Sequence, residues 1–464
     1  MLKEITIPTW FNWPVSGSVQ KINYHRSDYP SDFSIPKGKM SIVEHKNAYN
    51  EPLLNGVPFA LKYGATHVNR GQYPERYPIH TQKHHGGTAY DGWANDYVSV
   101  FDKDLEKVNN FNAFMKRYKE DCLDWYGGRY PGQMNYEVII LDGELFWNTS
   151  GSATLAAMYR LKNQLYPDML IGAWAKSHTT ASLMGVNRLN IDRYNETYKK
   201  GGVLTQYSAA GFEVMCNYAY HNNEVSNYYD RIYSSEIAKR LIKGTKKKEL
   251  WSLWQFDEDI DHWKDMGIHM YKPLLKNGKR GFYRWRGTVP PALMYSSAIF
   301  AYFCLDGVQN WEAGYSSYDL EDLYTENAFL KNKTISYQNG PVNVAYQHYS
   351  GIHDWEYLAR YQAHSQKDIL EQDTDWQLID FQIDGGKWYR NEQRYPSVAK
   401  LEKLPVVRVK YSTDGKEALL LVWNPSLCEA GFLSQVVDIN DSRTGLKATV
   451  KLKSNWVSIA RVSL

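Results

Sequence analysis

Glu137 to Trp147 reads EVIILDGELFW, an apolar run of strand-forming residues that stops abruptly at Asp142-Gly143-Glu144. Side chains alternate between faces along a strand, so Val138, Ile140, Asp142 and Glu144 share one side. Two carboxyl groups are therefore expected on one face at the C-terminal end of a buried strand. The glycine between them lets the backbone bend or a ligand come close. In parallel α/β folds the active sites gather at such strand ends.

Outward from this stretch, strands and helices alternate between about residues 97 and 313. Strands are predicted at Asp96–Phe101, Glu137–Glu144, Asp168–Ala175, Phe212–Tyr220, Glu249–Phe256 and Gly307–Trp311. Helices are predicted at Asp102–Trp125, Ser152–Leu165, Leu189–Lys200, Ser226–Ile242 and from Pro290-Pro291 to Leu305. Such alternation implies βαβ units and a parallel sheet. Counting back from Gly307–Trp311 as strand eight makes the Asp-Gly-Glu strand the fourth of a (β/α)8 TIM barrel. Strands one and two are then expected around Glu4–Phe11 and Pro58–Asn69. An open doubly wound sheet is the alternative, but no GxGxxG follows a strand.

Beyond about residue 370 the pattern changes to short alternating segments. These are Trp376–Ile383, Val406–Tyr411, Ala418–Trp423, Ser434–Ile439, Leu446–Leu452 and Trp456–Val462, with turns such as Thr413-Asp414-Gly415 between them. They predict an all-β sandwich. The expected organisation is a barrel domain over 1–313, a connecting region over 314–373 with a helix at Trp355–Glu371, and a C-terminal β-sandwich over 374–464.

The length of 464 residues suits a large domain plus a smaller one, and a hydrophobic content of 43% supplies their cores. A net charge of +3 gives no nucleic-acid footprint, and no apolar segment is long enough to span a membrane. Cys122, Cys216, Cys304 and Cys428 form no CxxC pair or metal cluster, so buried free thiols are expected. The N-terminus lacks a secretory apolar region. That leaves a cytoplasmic protein, or a secreted or periplasmic one whose leader has been removed.

Aromatic content stands out, with 37 Tyr and 16 Trp against 15 Phe. Tyr and Trp join a flat apolar face to a polar edge, which suits sugar rings stacked by their C–H faces and bonded by their hydroxyls. Strand ends supply Trp174, Lys176 and His178, then Asn217, Tyr218, Tyr220 and His221, then Trp251, Trp254 and Trp311. Roughly half of such residues serve cores instead of ligands. The substrate-binding candidates are Trp174, His178, Asn217, Tyr218, Tyr220, Trp254 and Trp311.

Acids at the strand ends are the catalytic candidates. Glu144, flanked by Phe146 and Trp147, suits a general acid, because an aromatic-walled pocket favours the neutral carboxyl. Asp142 would orient it or stabilise developing positive charge. In QFDEDIDHW, alternation pairs Gln255 with Asp257 toward the mouth and sends Trp254 and Phe256 toward the helices. Asp257, Glu258 and Glu312 are the candidates for a second carboxylate. The acidic run also has a reading as a calcium site or a helix N-terminus. His80, His84 and His85 have a spacing that suits a metal but no partner carboxylate, so no metal and no cofactor is expected. GxSxG, P-loop and HExxH motifs are absent.

Strand four ending in acid, strand seven in QFDE and strand eight in NWE, followed by a β-sandwich, together resemble a TIM-barrel glycoside hydrolase. The resemblance is to retaining-clan enzymes that degrade polysaccharides. It implies an acid/base at Glu144 and a nucleophile at Asp257 or Glu258. Gly143 stands where that clan carries Asn before the Glu. The D-x-E ending also resembles chitinase-like barrels, though Ile139 and Ile140 replace the acids or glycines expected there. The expected function is hydrolysis of glycosidic bonds in a polysaccharide or oligosaccharide by paired carboxylates. The rivals are a non-catalytic carbohydrate-binding protein on a degenerate barrel and a polysaccharide lyase.

Overall fold

Segments such as VIIL at 138–141 and VMCNY at 214–218 are apolar on both faces, the mark of strands covered on both sides. The computed structural model describes residues 1–5, 30, 33–44, 64–69, 138–141, 170–174, 213–218, 225–254, 256–257, 287–288, 291–311, 334–337, 340–343, 356–389, 404–425, 434–452 and 457–464. In chain order the strands are β1 (Leu2–Ile5), β2 (Met40–Glu44), β3 (His67–Asn69), β4 (Val138–Leu141), β5 (Leu170–Trp174), β6 (Val214–Tyr218) and β7 (Lys248–Trp254). There follow β8 (Phe256–Asp257), β9 (Gly287–Thr288), β10 (Gly307–Trp311), β11 (Thr334–Tyr337), β12 (Gly340–Asn343), β13 (Gln377–Leu378) and β14 (Asp380–Ile383). The last are β15 (Trp388–Tyr389), β16 (Val406–Tyr411), β17 (Glu417–Trp423), β18 (Gln435–Asp441), β19 (Leu446–Leu452) and β20 (Val457–Ser463). The helices are α1 (Val225–Leu241), α2 (Pro291–Cys304), α3 over 356–365 and α4 (Lys367–Leu370).

Seven strands form a parallel sheet in the order β3-β2-β10-β7-β6-β5-β4. The earliest of them in the chain pairing with the last, β2 with β10, is the notable feature. The two outer strands of this sheet, β3 and β4, approach within 8 Å between Cα atoms. One face carries a cluster of Met40, Ile42, Val138, Ile140, Val214, Cys216 and Leu250. On the other face, Trp251, Leu253 and Val308 join Ile232, Tyr233 and Ile237 of α1 and Ala298 to Cys304 of α2.

Helix α2 shows why the sequence folds this way. Pro291 opens it where a missing N–H costs nothing. It is apolar on every side, and Tyr295 to Leu305 are buried. Its final carbonyls are taken up from outside the helix: Lys39 Nζ donates to the carbonyls of Phe303 and Leu305, and Trp376 Nε1 donates to Phe303 O at 2.7 Å. Burial lowers the Lys39 pKa to about 8.

Two antiparallel sheets follow, ordered β1-β20-β17-β16-β13 and β15-β14-β18-β19. Their buried residues, among them Leu420 and Val422 from one and Val437 and Leu452 from the other, belong to the same core as α2. Phe300 of α2 lies between Trp251 of β7 and Trp423 of β17, at ring-centre distances of 4.7 and 5.6 Å.

Several predicted elements coincide with observed ones, Gly307–Trp311 and Val406–Tyr411 among them. Others are corrected. The N-terminal strand expected to open the barrel lies at Leu2–Ile5 and pairs antiparallel with β20, so it belongs to the C-terminal sheet. The parallel sheet instead takes Met40–Glu44. The single strand expected over Trp376–Ile383 is two, and the chain changes sheet across Ile379. The expected strand at Asp96–Phe101 lies outside the described residues.

Candidate active site

Contacts on β2, β5, β6, β7 and β10 establish which face each position of the parallel sheet occupies. Asn217 Nδ2 and Trp251 Nε1 both donate to Ser235 Oγ of α1, at 2.9 and 3.0 Å, and the two residues are register partners. They therefore face the helices. Ser41 Oγ donates to Glu356 Oε1 of α3 at 3.0 Å, which puts position 41 on the helix side too. Val308 faces the helices in register with Trp251. On β5, a Cβ at Gly172 would lie 2.8 Å from Val214 Cβ and 2.9 Å from Ile140 Cδ1, so that position faces the opposite cluster.

Alternation from these anchors brings six positions onto the face away from the helices at the C-terminal ends of the strands. They are Glu44 on β2, Asn69 on β3, Trp174 on β5, Tyr218 on β6, Trp254 on β7 and Trp311 on β10. Glu44 is the register partner of Asn69, and Trp254 is the register partner of Trp311. Four of the six, Trp174, Tyr218, Trp254 and Trp311, are substrate-binding candidates from the sequence.

The remaining candidates divide. Asn217 is 6% exposed and its amide is held by α1, so it is a packing group of the helix side and not part of this rim. Trp254 lies in step with Leu250 and Ser252, which reverses the face predicted for it. Both faces of β7 are apolar, so hydrophobicity alone leaves its sidedness open. Asp257 has left the parallel ladder: in β8 it pairs with Gly287 of β9 in a separate two-residue antiparallel ladder. Asp142, Glu144, His178, Tyr220, Glu258 and Glu312, with His80, His84 and His85, lie outside the described residues. Among the described residues no three or more His, Cys, Asp or Glu side chains gather as a metal site.

Glu44, Asn69 and His67 are rim or near-rim residues that sequence reasoning missed. The signal was present: Met40 and Ile42 alternate and the strand ends in an acid, as Val138 and Ile140 lead to Asp142. His67 is the register partner of Ile42. Its Nδ1 lies 2.7 Å from Thr66 Oγ1, a hydroxyl that also accepts from Ser41 N at 2.9 Å. Burial pushes the His67 pKa down to about 4, so the ring is neutral at physiological pH. At these backbone positions the sequence has four aromatic residues, an Asn and a Glu, with the neutral His67 imidazole one register step below. Such a set stacks rings and exchanges hydrogen bonds with hydroxyls.

No protein-family model matches the chain, and no curated protein matches it. Among solved structures it is similar to Amy13B of Eubacterium rectale at 8% identity and TM-score 0.39, over 94% of this chain and 98% of that one. It is similar to an α-amylase from Geobacillus thermoleovorans in complex with acarbose at 8% identity and TM-score 0.38, over 91% and 88%. An α-L-arabinofuranosidase from Thermotoga maritima in complex with arabinose gives 10% identity and TM-score 0.29, over 88% and 78%. Similarities this low place the chain in no family.

Proposed function

We propose that the chain is a glycoside hydrolase acting on a polysaccharide or oligosaccharide at the C-terminal rim of its parallel sheet. The observation that carries this reading is the row of Trp174, Tyr218, Trp254 and Trp311 positions on one face at successive strand ends. The sequence alternation Val138, Ile140, Asp142, Glu144 supports assigning the two acids, which lie outside the described residues, to that rim. Glycosidic cleavage uses carboxyl groups on either side of the scissile bond, and aromatic faces suit the sugar rings beside it.

In this reading the sheet closes as an eight-stranded barrel, with its remaining strand at Asp96–Phe101. The parallel pairing of β2 with β10 supports closure. The two antiparallel sheets form a C-terminal sandwich over 374–464, joined by β1 from the N-terminus. Residues 1–313 otherwise form the catalytic barrel and 314–373 the connection. Glu144 protonates the departing glycosidic oxygen as the bond to the anomeric carbon breaks. Asp142 orients Glu144, and a second carboxylate supports the attacking side.

Digestion of a glycan panel by wild type and Glu144→Gln, with reducing ends and ultraviolet absorbance recorded together, tests this reading. Cleavage that the substitution abolishes, without unsaturated products, is the expected result. Unsaturated ends would make the protein a lyase. Binding without any cleavage would make it a carbohydrate-binding protein.

A further inference from the structure

Strand β18 reads QVVDIND; Val437 and Ile439 are buried, whereas Asp438 and Asn440 between and after them are half-buried. Strand β19 repeats the alternation, with Val450 and Leu452 buried and Lys447, Thr449 and Lys451 exposed. Phe381 of β14 lies in the same core, and the Tyr389 ring of β15 stacks on it at 5.2 Å. The alternate residues Asp380, Gln382 and Trp388 therefore lie on the outer face of this four-stranded sheet, where Trp388 is half-buried.

Register gathers these residues into rows. Trp388 is the partner of Gln382, Gln382 of Asp438 and Asp438 of Thr449, a line across all four strands of roughly 14 Å. Asp380, Asn440 and Lys447 make the next row. The polar groups of the first row are held in place. Thr449 Oγ1 donates to Asp438 Oδ1 at 2.7 Å, and Gln382 Nε2 donates to Gly386 O. The hairpin that carries Trp388 is fixed as well. Its turn takes positive φ at Asp384 and Gly385, Gly386 N donates to Ile383 O at 2.8 Å, and Asp384 Oδ1 accepts from Val436 N at 2.8 Å.

We propose that this outer face is a saccharide-binding site separate from the rim of the parallel sheet, and that it holds an uncharged glycan chain across the strands. The Trp388 indole supplies a flat face for a sugar ring. The amide of Gln382, the carboxylate of Asp438 and the hydroxyl of Thr449 beside it exchange hydrogen bonds with sugar hydroxyls, and their fixed positions lower the entropy cost of binding. Charge selects the class of polymer. Asp380, Asp384 and Asp438 are offset by Lys387, Lys447 and Lys451, so this described surface has no net charge to hold a nucleic acid, an anionic lipid surface or an acidic glycan. Trp388 and Val436 are its apolar members among the described residues, too few for the core of a protein interface. The site goes beyond the hydrolase reading, since a protein that binds glycans without cleaving them could carry it equally well.

Affinity electrophoresis of the full chain tests this, in the cold and through cathodic native gels containing soluble starch, arabinoxylan or mixed-linkage β-glucan, with polygalacturonate as the acidic probe. Wild type is compared with Trp388→Ala, Asp438→Ala and the rim variant Trp254→Ala/Trp311→Ala. Wild type is expected to be retarded by at least one of the three uncharged glycans, and the rim variant to keep part of that retardation. Trp388→Ala should weaken binding by about tenfold in Kd and Asp438→Ala by about fivefold. Thermal melts establish that each variant folds; should Trp388→Ala fail to fold, Asp438→Ala decides alone. Folded variants of this face with wild-type retardation overturn the proposal. If the rim variant has then lost all retardation, the binding belongs to the rim and the hydrolase reading stands. Retardation by polygalacturonate alone, or by none of the four, overturns the proposal too.

Discussion

Arg408 of β16 grips Glu236 of α1 at two points, Nε to Oε1 at 2.5 Å and Nη2 to Oε2 at 2.6 Å. Both side chains are buried, at 1% and 7% exposure, and the Arg408 guanidinium lies 5.5 Å from the Tyr233 ring. Burial alone would lower the arginine pKa, but the Glu236 charge and hydrogen bonds outweigh it and raise it. The pair ties a helix of the parallel sheet to the antiparallel sheet. Replacing one partner strands the other's charge in the core. Arg408→Met or Glu236→Met should each cost about 3–5 kcal/mol in urea unfolding, and the double Met variant should recover most of that loss.

Gly172 and Gly307 are positions where a single methyl group meets backbone. A Cβ at Gly172 would lie 2.2 Å from Val214 O, and one at Gly307, where φ is +132°, 1.9 Å from Met40 O. Gly172→Ala and Gly307→Ala should each exceed the roughly 1–3 kcal/mol typical of overpacking and reduce soluble yield. Gly415→Ala is the control. Its φ is +69° but nothing lies within 4 Å, so about 1–2 kcal/mol is expected from conformation alone.

The neutral His67 gives stability a pH signature. The unfolded chain protonates this imidazole near pH 6.5, whereas the folded protein resists until about 4. As pH falls through that window the unfolded state binds the extra proton, and the folded state loses stability. His67→Gln should show a smaller drop in urea midpoint between pH 7 and pH 4.5 than wild type. Imidazole NMR of the wild type should place the His67 titration near 4.

The paired tryptophans of the rim make a binding prediction that leaves the chemistry alone. Trp254→Ala and Trp311→Ala should each raise KM for a cleaved saccharide by about tenfold, with kcat changed far less. As register neighbours they should combine non-additively, the double variant falling short of the product of the two.

Long elements with an unambiguous signal were legible from the residues. The Pro-initiated apolar helix at 291–304 and the strand at 307–311 needed only local reasoning. The strand-end positions of Trp174, Tyr218 and Trp311 followed from the same strand assignments. Three things did not follow. Met40–Glu44 is five residues without a long period, and only its parallel neighbours on both sides make it a strand of this sheet. The sidedness of β7 was inverted because Trp251 and Leu253 are as apolar as Leu250 and Trp254, so burial on both faces erases the alternation. Asn217 reads as a polar group at a strand end, but a hydroxyl at Ser235 claims it. That hydroxyl comes from a helix turn eighteen residues on, which strand periodicity cannot reveal.

The pairing of Leu2–Ile5 with Val457–Ser463 bears on how the chain is made. Leu2–Ile5 leaves the ribosome long before the strand it pairs with. At 5–20 residues per second, Leu2–Ile5 stays without its partner for roughly 20–90 s while the intervening residues are synthesised. Until β20 is made, β17 also lacks its neighbour on that side, because β20 separates it from β1. The sheet is therefore completed only once Val457–Ser463 has been made, and a chain cut short before Val457 would leave two strand edges open to other molecules.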